Sequence, residues 1–486
     1  MTATDFERIF HPRRMAIVGV SSDPSSIGFG NGILLACRAM GFAGEILPVN
    51  PKGGSFAGQT IFRTLEEIPG EIDFAVIAVP AAAVPEALEA CRRKGAAGAE
   101  VVTAGFGEAG TPEGRALEQQ VREIAARGIR VIGPNCFGVY CPASGLTLLP
   151  GPDLSRETGP VAFLSQSGGM SIDLAHLGKW MGLRFSKVVS FGNGADLREA
   201  ELLRYLADDP ETGVIAMYVE GVTDGGHFYD AIREAGRRKP VVVLKGGLSA
   251  AGGRAVVGHT ASLGGSRAIW SGVLRQVNAV QVHDLEELAQ ACLAFSYLPP
   301  RTFRGISAIG GGGALGAAAG DAAEACGLTV PPFPAALRQR LEALLPRPGS
   351  SAPNPVDVAH PFVPPKVLGQ VLRLAAEDDR VDLQVLISLL YHYKSQARAM
   401  GAPVAAVTPF AELAETVAAV AADTARPVVM VLPDLKRGAD DLDLAETMAR
   451  AREAFVARGV PVFGAIGEAL RAVGHVSAYY GRRHGR

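Results

Sequence analysis

The feature that most constrains this chain is an alternation, kept up almost throughout, of short β-branched apolar runs with longer Ala- and Leu-rich amphipathic stretches. Runs that short and that uniformly apolar suit strands covered on both faces. In the first part the strand candidates are Met15–Val20, Glu45–Val49, Phe74–Val79, Glu100–Thr103 and Arg130–Ile132, with helices expected at Ile33–Met40, Val84–Lys94 and Pro112–Arg127. After Gly159 the pattern resumes with strands at Val161–Leu164, Val188–Val189, Val214–Tyr218 and Val241–Leu244. Helices are expected there at Gly168–Met181, Glu199–Asp208, His227–Arg238 and Ser266–Asn278. A third series has strands at Ile306–Ile309, Leu383–Leu390, Val428–Leu432 and Val460–Phe463. Pro461 cannot donate to a ladder, which makes the last of these an edge strand. A βαβ alternation predicts α/β domains with parallel, doubly wound sheets. At 486 residues the chain exceeds what one core supports, and Pro299 and Pro300, followed by Arg301–Arg304, read as a linker. Three domains follow, at about 1–143, 144–298 and 299–486.

The formal charge of −2, with no polybasic run, gives no reason to invoke nucleic acid or an anionic membrane. Met1–Arg14 lacks the apolar core of a signal peptide, and runs such as Val385–Leu390 fall far short of the ~20 residues a membrane span needs. The six cysteines are scattered, without CxxC or Cys/His metal spacing. Buried thiols in a cytoplasmic protein with no metal site are the expectation.

In the first domain the strand ending at Val20 runs into a loop, Ser21–Asn31, which has Gly19, Gly28, Gly30 and Gly32 in and around it and Ser21 and Ser22 at its start. A glycine-rich strand-to-helix turn lets backbone N–H groups approach phosphate, although such glycines can also merely turn the chain. The end of the second strand discriminates between ligands. An NAD site wants an acidic residue there for the ribose hydroxyls, whereas this chain has Asn50-Pro51-Lys52. Lys52 suits a further phosphate, such as the one CoA carries on its ribose, or is an ordinary solvated lysine. A nucleotide-like ligand other than NAD is expected.

In the second domain three segments reach the carboxyl ends of strands, where open α/β sheets place ligands. Ser165-Gln166-Ser167-Gly168 takes a strand directly into a helix, offering free N–H groups and hydroxyls to an anion. Glu220-Gly221 puts a carboxylate at a strand end. Gly258-His259-Thr260-Ala261-Ser262 is a small-residue loop with a histidine that no apolar helix face claims. An imidazole nitrogen is a good nucleophile toward phosphorus, and a carboxylate accepting the other ring N–H fixes the tautomer and supports cationic character. A surface histidine and a salt-bridging glutamate are the plainer alternatives. In the third domain Gly310-Gly311-Gly312-Gly313 lies between a strand and the helix expected at Ala317–Cys326, and reads as a second anion-binding helix start rather than a flexible linker. Asn354-Pro355-Val356-Asp357-Val358 is turn-prone, with no chemistry evident from the sequence.

Taken together and in order, these stretches resemble the α subunit of ADP-forming acetyl-CoA synthetases and, more distantly, that of succinyl-CoA synthetase. The resemblance is carried by Ala16–Val20 with Pro48–Lys52, Ala75–Pro80, Gly133-Pro134-Asn135-Cys136-Phe137-Gly138, Phe163–Gly169, Tyr218–Val222, His259–Ser266, Gly310–Ala314 with Asp321, and Asn354–Asp357. It implies a Rossmann-like CoA-binding domain followed by two flavodoxin-like ligase domains. CoA would lie on Gly19, Ser21, Ser22, Gly28, Lys52, Val79, Pro80 and Asn135. His259 would be the phosphoryl carrier supported by Glu220. The helix starts at Ser165, Gln166, Ser167 and Gly168 and at Gly311, Gly312 and Gly313 would jointly hold the phosphoryl group; in succinyl-CoA synthetase the second of these comes from the other subunit. The implied reaction is carboxylic acid + CoA + NTP giving acyl-CoA + NDP + phosphate. Two departures stand out. The histidine loop of the family usually reads Ser-His-Thr-Gly-Ala, whereas here it is Gly258-His259-Thr260-Ala261-Ser262. No ATP-grasp domain is recognisable, so ATP or GTP with Mg2+ is expected on a separate nucleotide-binding subunit in a hetero-oligomer. The alternative is a catalytically silent CoA-binding or regulatory protein of the same fold.

Overall fold

The computed structural model describes residues 3–23, 25, 28–147, 153–254 and 266–484. Its first sheet is built from β1 (Arg14–Val18), β2 (Glu45–Val49), β5 (Phe74–Ile77), β6 (Gly98–Val101) and β7 (Arg130–Ile132); a small hairpin, β3 (Ser55–Phe56) and β4 (Gln59–Thr60), interrupts the series. The strand order is β2-β1-β5-β6-β7, parallel throughout. Met15 and Ile17 of β1, with Phe74 and Val76 of β5, pack into the core that holds Ile33 and Leu34. The intervening Ala16, Val18, Ala75 and Ile77 enter a different core with Val84, Leu88 and Val121. Alternate residues of one strand thus feed helices on opposite faces, which is why these strands are apolar throughout.

The second sheet contains β8 (Gly138–Tyr140), β9 (Thr158–Ser165), β10 (Phe185–Ser190), β11 (Val214–Val219), β12 (Val241–Lys245) and β13 (Val280–Val282), in the order β13-β12-β11-β9-β10-β8. Only β8 runs antiparallel, against β10. The third sheet has β14 (Ile306–Gly310), β15 (Val356–Asp357), β16 (Leu383–Ile387), β17 (Val428–Val431) and β18 (Val462–Phe463), all parallel, in the order β15-β14-β16-β17-β18. As Pro461 required, β18 is an edge strand, and the Pro461 carbonyl still accepts from Met430 N (2.9 Å).

The described chain packs as two compact units. Residues 1–179 with 183–288 hold the first two sheets, and residues 289–486 with 180–182 hold the third. Inside the first unit one apolar core is continuous from Ile17 and Phe74 of the first sheet to Leu164, Ile215 and Met217 of the second. Two helix starts differ from expectation by four residues. The helix after β1 begins at Phe29 rather than Ile33, and the helix after β14 begins at Gly313 rather than Ala317. In each case a glycine of the first turn has a close neighbour: a Cβ at Gly30 would lie 2.7 Å from the Gly19 carbonyl oxygen, and one at Gly316 3.1 Å from the Pro355 ring at Cβ. Among the described residues no helix is long and apolar enough to cross a membrane.

Candidate active site

Because the first sheet is parallel, the turns after β1, β2, β5 and β7 share its carboxyl edge, and these turns carry Gly19, Lys52, Val79, Pro80 and Asn135. Gly19 has φ +112°, and a Cβ there would run into the Ala78 carbonyl oxygen, so glycine is needed for the chain to turn away from the sheet. Asn31, fully buried, holds the loop from below: its Oδ1 accepts from Ser21 N (2.8 Å) and its Nδ2 donates to Ser21 O (2.8 Å). Gly28, extended and with open space around it, precedes the helix Phe29–Met40. That helix has no acidic residue in its first turn, and among the described residues no side chain caps it. An uncapped, acid-free helix start beside an open glycine fits a phosphate group. Ser22 and Lys52 are exposed, and Asn50 Oδ1 fixes the turn by accepting from Lys52 N (3.0 Å). The Val79 carbonyl accepts from Thr103 Oγ1 (2.6 Å). Asn135, at φ +56°, donates through its backbone N to Thr103 O (2.9 Å) and through Nδ2 to Asn193 Oδ1 (3.3 Å).

In the second sheet β9 and β11 are neighbours, with Tyr218 paired to Ser165. Ser165 is fully buried; its hydroxyl donates to Ser167 O (2.7 Å) and accepts from Ser167 N (3.1 Å), which folds the strand end into the helix Gly168–Met181. Ser167 Oγ accepts from Met170 N (3.4 Å). Gln166 locks this helix start to Glu220: its Nε2 donates to Gly221 O (2.8 Å), and its Oε1 accepts from Gly221 N (3.0 Å) and from Glu220 N. Glu220 is buried, and its Oε1 accepts from Tyr218 OH (3.2 Å), so the carboxylate that the sequence left without a partner has one. Burial and the adjacent Glu220 push the Tyr218 phenol above its ordinary value and keep it a donor. His259 lies outside the described residues.

Above the helix start sits Phe137, its backbone N donating to Ser190 Oγ (3.1 Å); a Cβ at Gly168 would be 2.8 Å from its ring. Phe137 is one of the few large apolar side chains left exposed, at 37 %. Its neighbour Cys136 is buried, with Sγ donating to Val101 O (3.3 Å), and burial drives that thiol well above its usual value, so it stays protonated.

The third sheet offers a separate cavity of about 200 Å³ lined by Gly310, Gly312, Gly313, Pro355, Asp357 and Ile387 among others. The Asn354–Asp357 segment, opaque in the sequence, has two jobs here. Asn354 bonds along β14, accepting from Ala308 N (3.0 Å) and donating to Ile306 O (2.8 Å). Asp357 Oδ1 accepts from Gly312 N (2.8 Å) and Ala359 N (2.8 Å), so a carboxylate already occupies part of this helix start. Gly311 is buried, while Gly312 and Gly313 open to solvent.

Sequence reasoning singled out none of Asn31, Tyr218, Phe137 and Lys245, the last of which closes β12. Asn31 and Tyr218 carried no signal beyond their proximity to named motifs. Lys245 did carry one: a lysine at the end of an all-apolar strand.

Comparison with known proteins agrees with this geometry. A CoA binding domain family matches residues 13–142, and the succinyl-CoA ligase like flavodoxin domain family matches residues 158–295. The α subunit of ADP-forming acetate–CoA ligase I from Pyrococcus furiosus is 38% identical over 327 residues, spanning 66% of this chain and 70% of that subunit. An ADP-forming acetate–CoA ligase I from Archaeoglobus fulgidus is 37% identical over 385 residues, 78% of this chain but 54% of that protein, so the chain spans about half that relative's length. Among solved structures, acetyl-coenzyme A synthetase 1 of Ca. Korarchaeum cryptofilum, in complex with phosphate and ADP, superposes with a TM-score of 0.83 at 28% identity, covering 99% of this chain and 97% of that one. A doubly wound first sheet, a second sheet whose helix start is hydrogen-bonded to the strand end bearing a buried carboxylate, and these relatives lead to one assignment: the chain belongs to the family of ADP-forming acetate–CoA ligases, among their α subunits.

Proposed function

We propose that this chain is the CoA-binding catalytic subunit of an NDP-forming acyl-CoA synthetase, converting carboxylic acid, CoA and NTP to acyl-CoA, NDP and phosphate through phosphohistidine and acyl phosphate. The observation that carries the reading is the set of three hydrogen bonds between the Gln166 side chain and the Glu220-Gly221 backbone, which makes the helix start at Gly168 and the Glu220 carboxylate one rigid unit. Such a unit pre-positions an anion cradle and an imidazole-orienting carboxylate at the carboxyl ends of β9 and β11.

In this reading His259 is the nucleophile. Its ring nitrogen forms a bond to the terminal phosphorus of NTP while the P–O bond to NDP breaks, and Glu220 accepts the other ring N–H and balances the charge on the imidazole. The substrate carboxylate oxygen then attacks phosphorus, breaking the N–P bond. The CoA sulfur attacks the acyl carbon, and phosphate leaves. The helix starts at Ser165–Gly168 and at Gly311–Gly313 are the proposed phosphate-binding elements. CoA is assigned to Gly19, Ser21, Ser22, Gly28, Lys52, Val79, Pro80 and Asn135, and its reactive thiol supplies the thioester. NTP and Mg2+ are assigned to an ATP-grasp partner subunit and the domain limits to 143/144 and 298/299. A cytoplasmic location suits cysteines that are buried in five of six cases and unpaired in all.

The half-reaction run backwards tests this without the partner. Acetyl-CoA and radioactive phosphate should place an acid-labile label on the chain, and His259→Asn should abolish it while leaving CoA affinity unchanged. Acid-stable label, or label on the His259→Asn protein, would show the wrong carrier.

A further inference from the structure

One buried charge in the second sheet has no part in the scheme above. Lys245 is the last residue of β12, paired to Val219, and only 5% exposed. Strands covered on both faces seldom end in a buried cation unless it is engaged. Its Nζ donates to the Glu220 backbone carbonyl (2.7 Å) and to Gly246 O, and stands 5.1 Å from the centre of the Trp270 ring. Gly246 and Gly247 follow directly, the chain is described as far as Arg254, and it is described again from Ser266 into the helix Arg267–Gln276, which carries Trp270. In sequence, Lys245 and Trp270 lie on either side of His259. A cation over an indole face is held electrostatically, more strongly when water is excluded.

We propose that Lys245 is a positioning residue for phosphohistidine chemistry, one ammonium fixing the Glu220 backbone against the Trp270 ring. This rests on the phosphohistidine reading. Burial lowers the lysine pKa, with Glu220 partly offsetting the effect, so the clamp loosens at a pH below that at which a solvated lysine deprotonates. Among the described residues the titratable groups facing it are Glu220 and Tyr218, both on or beside β11; on the helix side it meets the non-titrating Trp270. Tyr218 is held protonated past that range, so Lys245 supplies the alkaline transition.

The assay is labelling of the full chain by inorganic phosphate and acetyl-CoA across pH, with CoA affinity measured alongside. Lys245→Met should slow labelling tenfold or more with CoA affinity unchanged. Lys245→Arg, which keeps a cation that does not titrate, should recover much of the rate and lose the alkaline fall seen in the unaltered chain. Labelling of Lys245→Met at the unaltered rate, or an alkaline fall that persists in Lys245→Arg, overturns the proposal. If Lys245→Met fails to fold, the arginine profile alone decides. An unaltered chain that takes no label sinks the phosphohistidine reading itself, whereas normal label on the unaltered chain with no effect of either substitution sinks only the role of Lys245.

Discussion

Lys52 and Gly19 sit on the same sheet edge and answer different questions. Gly19 is dictated by backbone: positive φ and the adjacent Ala78 carbonyl leave no room for a side chain, whatever ligand binds. Among the described residues nothing in the fold dictates Lys52, since its side chain is exposed and only its backbone N is used in the turn. A lysine free of structural duty after β2, where an acidic residue would mark an NAD site, is consistent with reading the ribose phosphate of CoA. Lys52→Ala should therefore weaken CoA about fivefold to tenfold, as expected for one charge-assisted hydrogen bond near the surface, and leave dephospho-CoA nearly unchanged. Calorimetric titration of both ligands separates the cases, and equal losses would reassign Lys52 to scaffold.

Among the elements, the most consequential join is that of β9 and β11 through Gln166. Gln166→Leu keeps the side-chain bulk but strands the Gly221 carbonyl and two N–H groups in a buried site, for which a cost of about 2–4 kcal/mol is expected. Urea unfolding should register that loss, and phosphate labelling should fall more steeply than stability, because Glu220 would no longer be held to the helix start. A stability loss with full labelling would leave Gln166 a purely structural residue. The sequence made such strands and helix starts easy to read, since apolar runs at Phe74–Ile77 or Val214–Val219 and the Ser-Gly start at Gly168 are local signals. What it hid were partnerships between distant segments. Gln166 to Gly221, Asn31 to Ser21, Lys245 to Trp270 and Asp357 to Gly312 are set by the packing of one strand end against another, and no periodicity announces them. The short β8 escaped for a related reason: three residues that begin with a glycine give no period, and its direction is fixed by β10 alone.

On the scale of the whole molecule, the first two sheets are tied together through Glu100 of β6, whose Oε2 accepts from Val139 N of β8 (3.0 Å). Burial without a cationic partner pushes the Glu100 carboxyl up to about 8, so the folded chain holds its proton where the unfolded chain, at the ordinary value of 4.5, releases it. Because the folded pKa is the higher one, this contribution to stability is complete below 4.5 and is lost as pH rises through about 8. Unfolding free energy should thus decline from mildly acid to mildly alkaline pH, and Glu100→Gln, a neutral donor-acceptor of the same size, should flatten the decline; a slope that Glu100→Gln leaves intact would assign it to other groups. The strand that receives Glu100 has another consequence, for how such chains are inherited. β8 belongs by position to the CoA-binding segment and by hydrogen bonding to the sheet of its neighbour. Gene fission just after residue 143 would send one product away with an orphan strand and leave the other with β10 as a bare, ladder-ready margin, the kind on which sheets of separate molecules accrete. Evolution can therefore trade these two sheets as one cassette far more safely than it can deal them out singly.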